Sequence, residues 1–202
     1  MSMTLLIVGV TVAVSWFAFQ RPRLLERLLL WPPAFDRQHQ YDRFVTHGFV
    51  HADWQHLLFN MITLYFFGGL VERLFAPYIG AAGFVLFYLS AIVVAMLPTY
   101  LRHRKDANYR SLGASGGVSA VLFVFILAAP WSMIFVFFVP MPAILYAVLY
   151  VGYSIWADRR GHDNINHGAH LAGAAYGVLF TVAMEPGVLA GFASRLLSPP
   201  FL

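Results

Sequence analysis

A serine flanked by small residues is the feature of the sequence best suited to covalent chemistry. Ser115 lies in the segment 111–117 (SLGASGG), immediately before a long apolar stretch. The glycines remove side-chain bulk, so another backbone can approach the serine oxygen closely. A serine nucleophile also requires a base within hydrogen-bonding distance and donors for an oxyanion. The other candidate residues are those that meet these two needs.

Two histidines and an asparagine supply candidate donors near the start of another apolar stretch. His56 and Asn60 are four residues apart and therefore share one helix face. Both side chains can donate hydrogen bonds, and the positive end of the helix dipole favours an anion at the same place. His51 lies just before this helix.

The candidate base is His170, at the start of the last long apolar stretch. His170, Gly173 and Gly177 follow i, i+3, i+7 spacing and share one helix face. A similar row of small residues stands beside the serine: Gly113, Gly117 and Ala120. Small residues on facing helices permit close approach. We therefore expect the two rows to bring Ser115 to His170.

The elements that must position these residues are membrane-spanning helices. Hydrophobic residues make up 60% of the 202-residue chain and charged residues only 11%, against about 25% in soluble domains. This composition indicates a polytopic membrane protein, and the length fits one domain covering residues 1–202. The chain has no cysteine, which excludes disulfides and thiolate metal sites. The net charge of +4 arises from loops beside apolar stretches, so we expect lipid headgroups as partners rather than nucleic acid.

Six apolar stretches are interpreted as spans. They cover about residues 3–19, 56–74, 80–100, 113–129, 143–157 and 168–184. The first lacks the basic start and the cleavage site of a signal peptide, so we interpret it as a retained helix. Residues 21–50 form a long loop with an interfacial amphipathic helix that Trp31-Pro32-Pro33 ends. Residues 133–139 are expected to run extended, and the tail to Leu202 to be disordered or interfacial.

Span parity predicts that the candidate residues converge. With six spans, both termini lie on one side of the membrane, and the loops that lead to His56, Ser115 and His170 all lie on the other. All but two of the 13 basic residues, Arg73 and Arg195, fall on that second side. Positive charge favours the cytoplasmic side, which by itself would direct the site inward.

These residues resemble the motifs of the rhomboid intramembrane serine proteases. The family pattern is a His, four residues, His, three residues and Asn in the second span, Gly-x-Ser-Gly in the fourth, and Ala-His-x-x-Gly in the sixth. The chain carries all three motifs in this order and spacing, from about Tyr41 to Gly177. The matching residues are His51, His56, Asn60, Gly113, Ser115, Gly116, Ala169, His170 and Gly173.

The resemblance implies an all-α membrane protein with six transmembrane helices in a compact rhomboid-like bundle and an interfacial first loop. It implies a serine endopeptidase that cleaves transmembrane or membrane-proximal segments of single-span membrane proteins. Ser115 would be the nucleophile and His170 the general base and acid, through an acyl-enzyme. The oxyanion hole would consist of His56, Asn60 and the Ser115 backbone N–H. The supporting residues would be His51, Gly113, Gly116 and Gly173.

The resemblance also implies partners and a location. The partners would be a transmembrane protein substrate and membrane lipids, with no nucleic acid, no cofactor and no metal ion; the oligomeric state stays open. The location would be the bacterial inner membrane, with the active site toward the outer face, against the charge pattern. All nine carboxylates lie in loops or at span ends, which favours a Ser-His dyad over a triad. Asp163 is left as a candidate orienting group for His170.

One departure from the family pattern lies beside the nucleophile. Many members have an aromatic residue four positions after the serine, stacked on the catalytic histidine, whereas this chain has Ser119. Two expectations follow from this difference. Either His170 is held less firmly, or His167 or Tyr176 holds it instead.

A second departure lies in the first loop. Family members often have Trp-Arg where this chain has Asp42 followed by Arg43, which brings the anchoring of the loop into question. Glu72 and Arg73, at the end of the second span, resemble an acidic-basic pair of the family. We interpret that pair as structural.

Other functions were compared with the same residues. Histidines could form a zinc site, but the His-Glu-x-x-His motif of membrane zinc proteases is absent from the sequence. An intramembrane aspartyl protease requires two aspartates within spans, which the sequence lacks. A transporter would place polar residues at mid-membrane rather than near one mouth. The alternative kept open is a catalytically inactive rhomboid-like protein that binds transmembrane helices, although the chain retains Ser115 and His170.

Overall fold

The helices follow the apolar stretches of the sequence. The computed structural model describes residues 2–136, 138–161 and 165–199. Five long helices dominate: α1 (Met3–Phe19), α5 (Trp54–His103), α6 (Ser115–Ala128), α7 (Ala143–Arg160) and α8 (His167–Met184). The shorter elements are α2 (Pro22–Leu28), α3 (Pro32–Gln38), α4 (Arg43–Thr46), a 3₁₀ turn (His47–Phe49), β1 (Met133–Val136), β2 (Val139–Pro142) and α9 (Val188–Leu197). The protein is therefore a helical membrane protein, as the sequence predicts.

The second and third predicted spans form one kinked helix. α5 is helical throughout except at Gly80, whose φ of 65° lies in the left-handed region that glycine tolerates. The chain reverses there, because the rings of Phe75 and Phe87 lie 5.0 Å apart, whereas straight helix would separate the two residues by about 18 Å. Residues 75–79, expected to connect two spans, are helical, because a single glycine makes the turn.

The first loop contains more helix than the sequence indicates. The predicted amphipathic helix is present as α2, none of whose residues is buried. Pro32 does not only end a helix, since α3 begins at this residue. Proline suits a first helical position because its missing N–H would have no partner there.

Glu72 joins the start of α1 to α5. Its carboxylate accepts hydrogen bonds from the backbone N–H groups of Met3 and Thr4 and from the hydroxyls of Ser2 and Thr4, all at 2.8–2.9 Å. An acidic group is favourable at a helix N-terminus, where N–H groups lack intrahelical partners. The structural role expected of Glu72 is thus carried out through α1.

The segment between α6 and α7 is an antiparallel hairpin. Met133 of β1 lies opposite Pro142 of β2, and Val136 lies opposite Val139. The extended conformation expected from the sequence is present, but the pairing was not predicted. The indole of Trp131 donates to the backbone carbonyl of Arg195 in α9 at 3.0 Å, so the hairpin and the tail meet at the same end of the bundle. The tail is helical to Leu197 and bends by 114° away from α8.

The loops that carry the candidate residues meet at the other end. Leu30 of the first loop and Ser111 exchange two backbone hydrogen bonds at 2.9 and 3.1 Å. Asn166, just before α8, donates to the hydroxyl of Ser111 at 3.3 Å. These contacts bring together the three loops that span parity predicts on one face.

Two described helices are long and apolar enough to cross a bilayer, Met3–Gln20 and Trp54–His103. The bent pair α8 and α9 is a third candidate, while α6 is apolar but has only 14 residues. The count of six spans therefore stays a prediction.

Candidate active site

Ser115 is the first residue of α6. Two residues earlier, Gly113 has a φ of 118°, which is strained for any residue with a side chain, so the glycine creates the turn into the helix. The first N–H groups of a helix have no intrahelical acceptor. The start of α6 therefore offers backbone donors beside the Ser115 hydroxyl, and the residue is half-buried rather than enclosed.

The loop before Ser115 is fixed by the first loop of the chain. Gly113 N–H donates to the His47 carbonyl at 2.9 Å, and Ala114 N–H donates to Nε2 of His51 at 3.3 Å. Together with the Leu30–Ser111 pair, these bonds hold three of the four residues that precede Ser115. The serine is thus presented on a loop with little freedom to move.

His51 supports this loop as a neutral imidazole. Its Nε2 accepts from Ala114, so its proton is on Nδ1, which donates to Ser15 Oγ at 2.9 Å. The Ser15 hydroxyl in turn donates to the Phe49 carbonyl at 3.0 Å. His51 is fully buried, and burial, together with the nearby His56, lowers the pKa of His51 to about 3. The residue is therefore built into the scaffold, and its supporting role at the site stays a prediction.

His56 lies against the loop that precedes the serine. A Cβ atom on Gly113 would be only 2.6 Å from Cε1 of His56 and 2.9 Å from its Nε2. Asp53 caps this helix by accepting the N–H of His56 at 2.7 Å, so α5 begins at Trp54, two residues earlier than predicted. Asn60 is buried, and its amide donates to the His56 carbonyl at 3.0 Å.

His170 lies in the first turn of α8, which packs backbone to backbone on α6. A Cβ on Gly173 would lie 2.1 Å from the Gly116 carbonyl oxygen, and one on Gly177 would lie 2.3 Å from that of Ala120. A Cβ on Gly116 would lie 3.7 Å from the Ala169 carbonyl oxygen. Gly116, which follows Ser115, and Ala169, which precedes His170, thus lie at the same contact between α6 and α8.

A family model described as the Rhomboid domain matches residues 38–186. That range contains every motif residue and covers most of the chain. The chain belongs to the rhomboid family.

Curated rhomboid relatives come from plants and bacteria. The RHOMBOID-like protein 12, mitochondrial, of Arabidopsis thaliana is 31% identical over 195 residues, which are 91% of this chain and 58% of that protein. The Rhomboid protease GlpG of Enterobacter sp. (strain 638) is 27% identical over 162 residues, 77% of this chain and 52% of that protein. The Rhomboid protease GluP of Bacillus subtilis (strain 168) is 26% identical over 169 residues, 82% of this chain and 30% of that protein. The chain spans 30–58% of the length of these rhomboids.

Family membership and the apolar helices make this rhomboid a membrane protein. Relatives named for the mitochondrion and the chloroplast match it as well as bacterial ones do. The bacterial inner membrane expected from the sequence is therefore not supported. The face to which the site opens stays a prediction.

Ser119, where many rhomboids have an aromatic residue, contacts an aromatic residue from another helix. Its hydroxyl lies 2.6 Å from the hydroxyl of Tyr150, which reaches in from α7. The Tyr150 ring lies nearly parallel to the imidazole of His170, at an interplanar angle of 16° and a centroid distance of 6.1 Å. Sequence reasoning missed Tyr150, because nothing distinguishes it from the other tyrosines of α7.

His167 and Tyr176 were the two residues expected to hold His170 in place of an aromatic residue at position 119, and only one of them contacts it. The ring of His167 meets that of His170 edge-on, with 5.8 Å between centroids. Tyr176 was the wrong choice, because it points toward α5, where its hydroxyl lies 2.6 Å from that of Ser90.

Asn166 is a second residue that sequence reasoning missed. Its Oδ1 accepts the Ala169 N–H at 3.0 Å and the Thr99 hydroxyl at 2.9 Å. Its Nδ2 donates to the hydroxyls of Ser111 and Tyr109, each at 3.3 Å. Asn166 thus caps α8 and ties it to the loop before the serine. An asparagine directly before an apolar helical pattern was the available signal.

The first loop keeps its anchor despite Asp42. The guanidinium of Arg43 is buried and donates to the carbonyls of Leu29 at 2.6 Å and Glu26 at 2.8 Å. Asp42 instead forms a surface ion pair with Arg27 at 2.8 Å. The anchoring that the missing tryptophan brought into question is provided by Arg43.

Within the described part of the chain, no three His, Asp or Glu side chains lie close enough together to bind a zinc ion. His47 and His51 bind protein atoms, the Arg43 carbonyl and the Ser15 hydroxyl. Asp163, the candidate orienting group for His170, lies outside the described residues.

Proposed function

We propose that this rhomboid is an intramembrane serine endopeptidase and that residues 1–202 act as one transmembrane domain. It would cleave transmembrane or membrane-proximal segments of single-span membrane proteins with Ser115 and His170. The observation that carries the proposal is the backbone contact between the two helices that bear these residues. Gly116 and Ala169 lie at that contact, which supports placing their chain neighbours, Ser115 and His170, close together.

The proposed reaction begins when His170 takes the proton from the Ser115 hydroxyl. The serine oxygen attacks the scissile carbonyl carbon, and the tetrahedral intermediate places negative charge on the carbonyl oxygen. His56, Asn60 and the Ser115 backbone N–H would hold that oxyanion at the positive start of α6. His170 then gives its proton to the leaving amine, which releases one product and leaves an acyl ester on Ser115.

Hydrolysis of the acyl ester completes the cycle, with water as the nucleophile and Ser115 as the leaving group. His170 removes a proton from the water molecule, whose oxygen attacks the acyl ester. Collapse of the second intermediate releases the new carboxylic acid and returns the proton to Ser115. The peptide must be extended to be attacked, so helix-breaking residues in the substrate would promote cleavage.

The carboxylates favour a dyad in this mechanism. Asp53 accepts the N–H of His56, and Asp158 pairs with Arg102 at 3.0 Å. Each of these groups is thus occupied by a partner other than His170. The rings of Tyr150 and His167 lie near the imidazole of His170 and support its orientation.

The competing function is an inactive rhomboid that binds transmembrane helices. Its sequence signature is loss of the dyad, whereas this chain keeps both residues. Ser115 and His170 are each half-buried, which leaves them accessible to a substrate. These observations favour the protease.

A serine-directed fluorophosphonate tests the proposal on the purified, detergent-solubilised protein. Wild type should be labelled, while Ser115→Ala and His170→Ala should not. Ser132→Ala is the matched control, because this serine lies beyond the opposite end of α6. Thermal unfolding confirms that every variant is folded.

A complete absence of labelling in folded wild type would favour the helix-binding alternative. Labelling of Ser115→Ala to the wild-type level would place the reactive serine elsewhere. Reconstitution of unlabelled enzyme with a single-span substrate then tests cleavage, which a glycine pair in the substrate span should accelerate.

A further inference from the structure

Tyr150 provides the aromatic contact to His170 from a third helix. Its ring lies nearly parallel to the imidazole, with 6.1 Å between the ring centroids. Offset parallel rings at this separation attract each other. The terminal torsion of a histidine is soft, with broad energy wells, so a ring at one face restricts the angles that His170 can adopt.

Tyr150 is itself fixed to the helix of the nucleophile. Its hydroxyl lies 2.6 Å from that of Ser119, a buried residue one turn after Ser115 on the same face of α6. The ring also packs against Phe123 of α6 at 5.6 Å between centroids. The hydroxyl and the ring edge of Tyr150 therefore contact α6, while the face of its ring lies toward the imidazole of His170 in α8.

We infer that Tyr150 is a positioning residue that orients His170 toward Ser115, and that Ser119 is its anchor. This inference rests on the proposed function. A small residue at position 119 leaves room for the tyrosine of α7, and its hydroxyl fixes the position of the ring. The two positions thus act as one unit that links α6, α7 and α8.

Placing this contact on α7 has a consequence for regulation. The fully buried residues of α7 are all small, namely Ala143, Ala147, Ser154 and Ala157, and its larger inward side chains, such as Tyr146 and Tyr150, are only partly buried. An outward shift of α7 would withdraw Tyr150 from His170 without moving Ser115. The orientation of the base therefore depends on whether α7 is seated.

The test measures fluorophosphonate labelling of Tyr150 variants as two separate quantities. The final stoichiometry reports the fraction of folded sites, and the rate constant per site reports the geometry of the dyad. Tyr150→Leu, which removes the ring, should lower the rate constant about 10- to 100-fold at unchanged stoichiometry, because misplacement of a catalytic group by about 1 Å costs about 10²-fold. Tyr150→Phe keeps the ring and should retain the rate to within about fivefold. Tyr78→Leu, on an exposed tyrosine of α5, is the matched control and should label at the wild-type rate.

Ser119→Ala tests the anchor. It should lower the rate constant as much as Tyr150→Phe does, and the double variant should be no slower than either, because both changes remove one shared hydrogen bond. Multiplying effects in the double variant would show that the two hydroxyls act separately and would overturn the role of Ser119.

The outcomes separate this inference from the proposed function. Labelling of wild type but not of Ser115→Ala, together with a wild-type rate constant for Tyr150→Leu, would overturn the inference and leave the protease intact. A fall in stoichiometry alone would also overturn it, since Tyr150 would then serve folding. No labelling of folded wild type would reject the proposed function, and the inference with it.

Discussion

α6 and α7 both contribute to the surroundings of His170, but they are built in opposite ways. In α6, eleven of the fourteen residues are buried, and its backbone contacts α8 at Gly116 and Ala120. In α7, four of the 18 residues are buried, and all four are small. The large side chains of α7, such as Val148 and Leu149, are mostly exposed toward the surface that lipid would cover.

This difference separates a fixed contact from an adjustable one. Two backbones in contact have one workable distance, because no rotamer can change it and packed interiors yield little. A contact made by one long side chain is kept or lost as its helix shifts. We therefore expect the fixed contact to set the spacing of Ser115 and His170, and the adjustable one to influence the angle of the imidazole.

Gly173→Ala should have the largest effect, because it disrupts the fixed contact. The added Cβ would lie 2.1 Å from the Gly116 carbonyl oxygen, so α8 must move away from α6. We expect the fluorophosphonate labelling rate of Ser115 to fall by about 100-fold or more. Overpacking of this kind also lowers the free energy of unfolding by about 1–3 kcal/mol. Labelling kinetics and thermal unfolding in detergent measure the two effects.

Gly9→Ala is the control for Gly173→Ala. Gly9 lies in α1 with no atom within 4 Å of its Cβ position, so this substitution should leave the labelling rate unchanged and raise the free energy of unfolding by about 0.5–1 kcal/mol rather than lower it. A Gly173→Ala variant that is labelled at the wild-type rate would show that the α6–α8 contact does not set the geometry of the dyad.

The pH dependence of stability tests the scaffold under the fixed contact. His51 is buried as a neutral group with a pKa of about 3, against about 6.5 when unfolded. The unfolded chain thus binds more protons between these values, so this stability is present above pH 6.5 and is lost as pH falls toward 3. Between pH 7.5 and 5.0 the loss from His51 is about 2 kcal/mol. Equilibrium unfolding in mixed micelles at the two pH values measures it.

His51→Gln isolates that contribution, because the glutamine amide can accept from Ala114 and donate to Ser15 without titrating. The variant should lose about 2 kcal/mol less than wild type over the same pH range. His47 is also buried, and burial lowers its pKa to about 4, so part of the acid sensitivity should remain. Identical pH dependence in the two proteins would contradict the neutral, buried state of His51.

The fixed contact between α6 and α8 could be predicted from the sequence, because the residues that indicate it lie close together in the chain. The row of Gly173 and Gly177 is visible on one helix face, and the glycines around Ser115 are adjacent in the chain. Hydrophobic runs likewise place the long helices within a few residues, since burial in lipid requires sustained apolar length. The turn at Gly80 was harder to predict, because one left-handed residue replaces a loop that would have a polar composition.

The adjustable contact could not be predicted in the same way. Lipid is as apolar as the interior of the bundle, so the pattern of α7 does not reveal which of its tyrosines faces inward. Tyr150 acquires its role only from partners on two other helices. Asn166 differs, because an N-cap preference pointed to it, yet its bond to Ser111 joins residues 55 positions apart that only the fold brings together.

Glu72→Gln extends the comparison of helix packing from α6 and α7 to α1, whose first residues are bound by the Glu72 carboxylate of α5. The amide oxygen can replace only part of the carboxylate, which accepts four hydrogen bonds. We expect a loss of about 1–3 kcal/mol in the free energy of unfolding, as for hydrogen bonds to charged groups. Labelling per folded site should stay near the wild-type level, because Glu72 lies at the end of the bundle away from Ser115. Arg73→Gln is the control, and an equal loss there would mean that removing either charge at this position destabilises the protein, whatever bonds that charge makes.

Gly152→Ala should have the smallest effect and tests whether α7 is adjustable. Gly152 is exposed within α7, and no atom lies within 4 Å of its Cβ position. Alanine in a helix interior restricts the unfolded chain, so stability should rise by about 0.5–1 kcal/mol. The labelling rate should change by less than about twofold, because a stiffer α7 still seats Tyr150 against His170. A tenfold fall in labelling at unchanged stability would mean that α7 must bend at Gly152 for the site to form, and the contrast with α6 would then be one of flexibility within the helix rather than of packing around it.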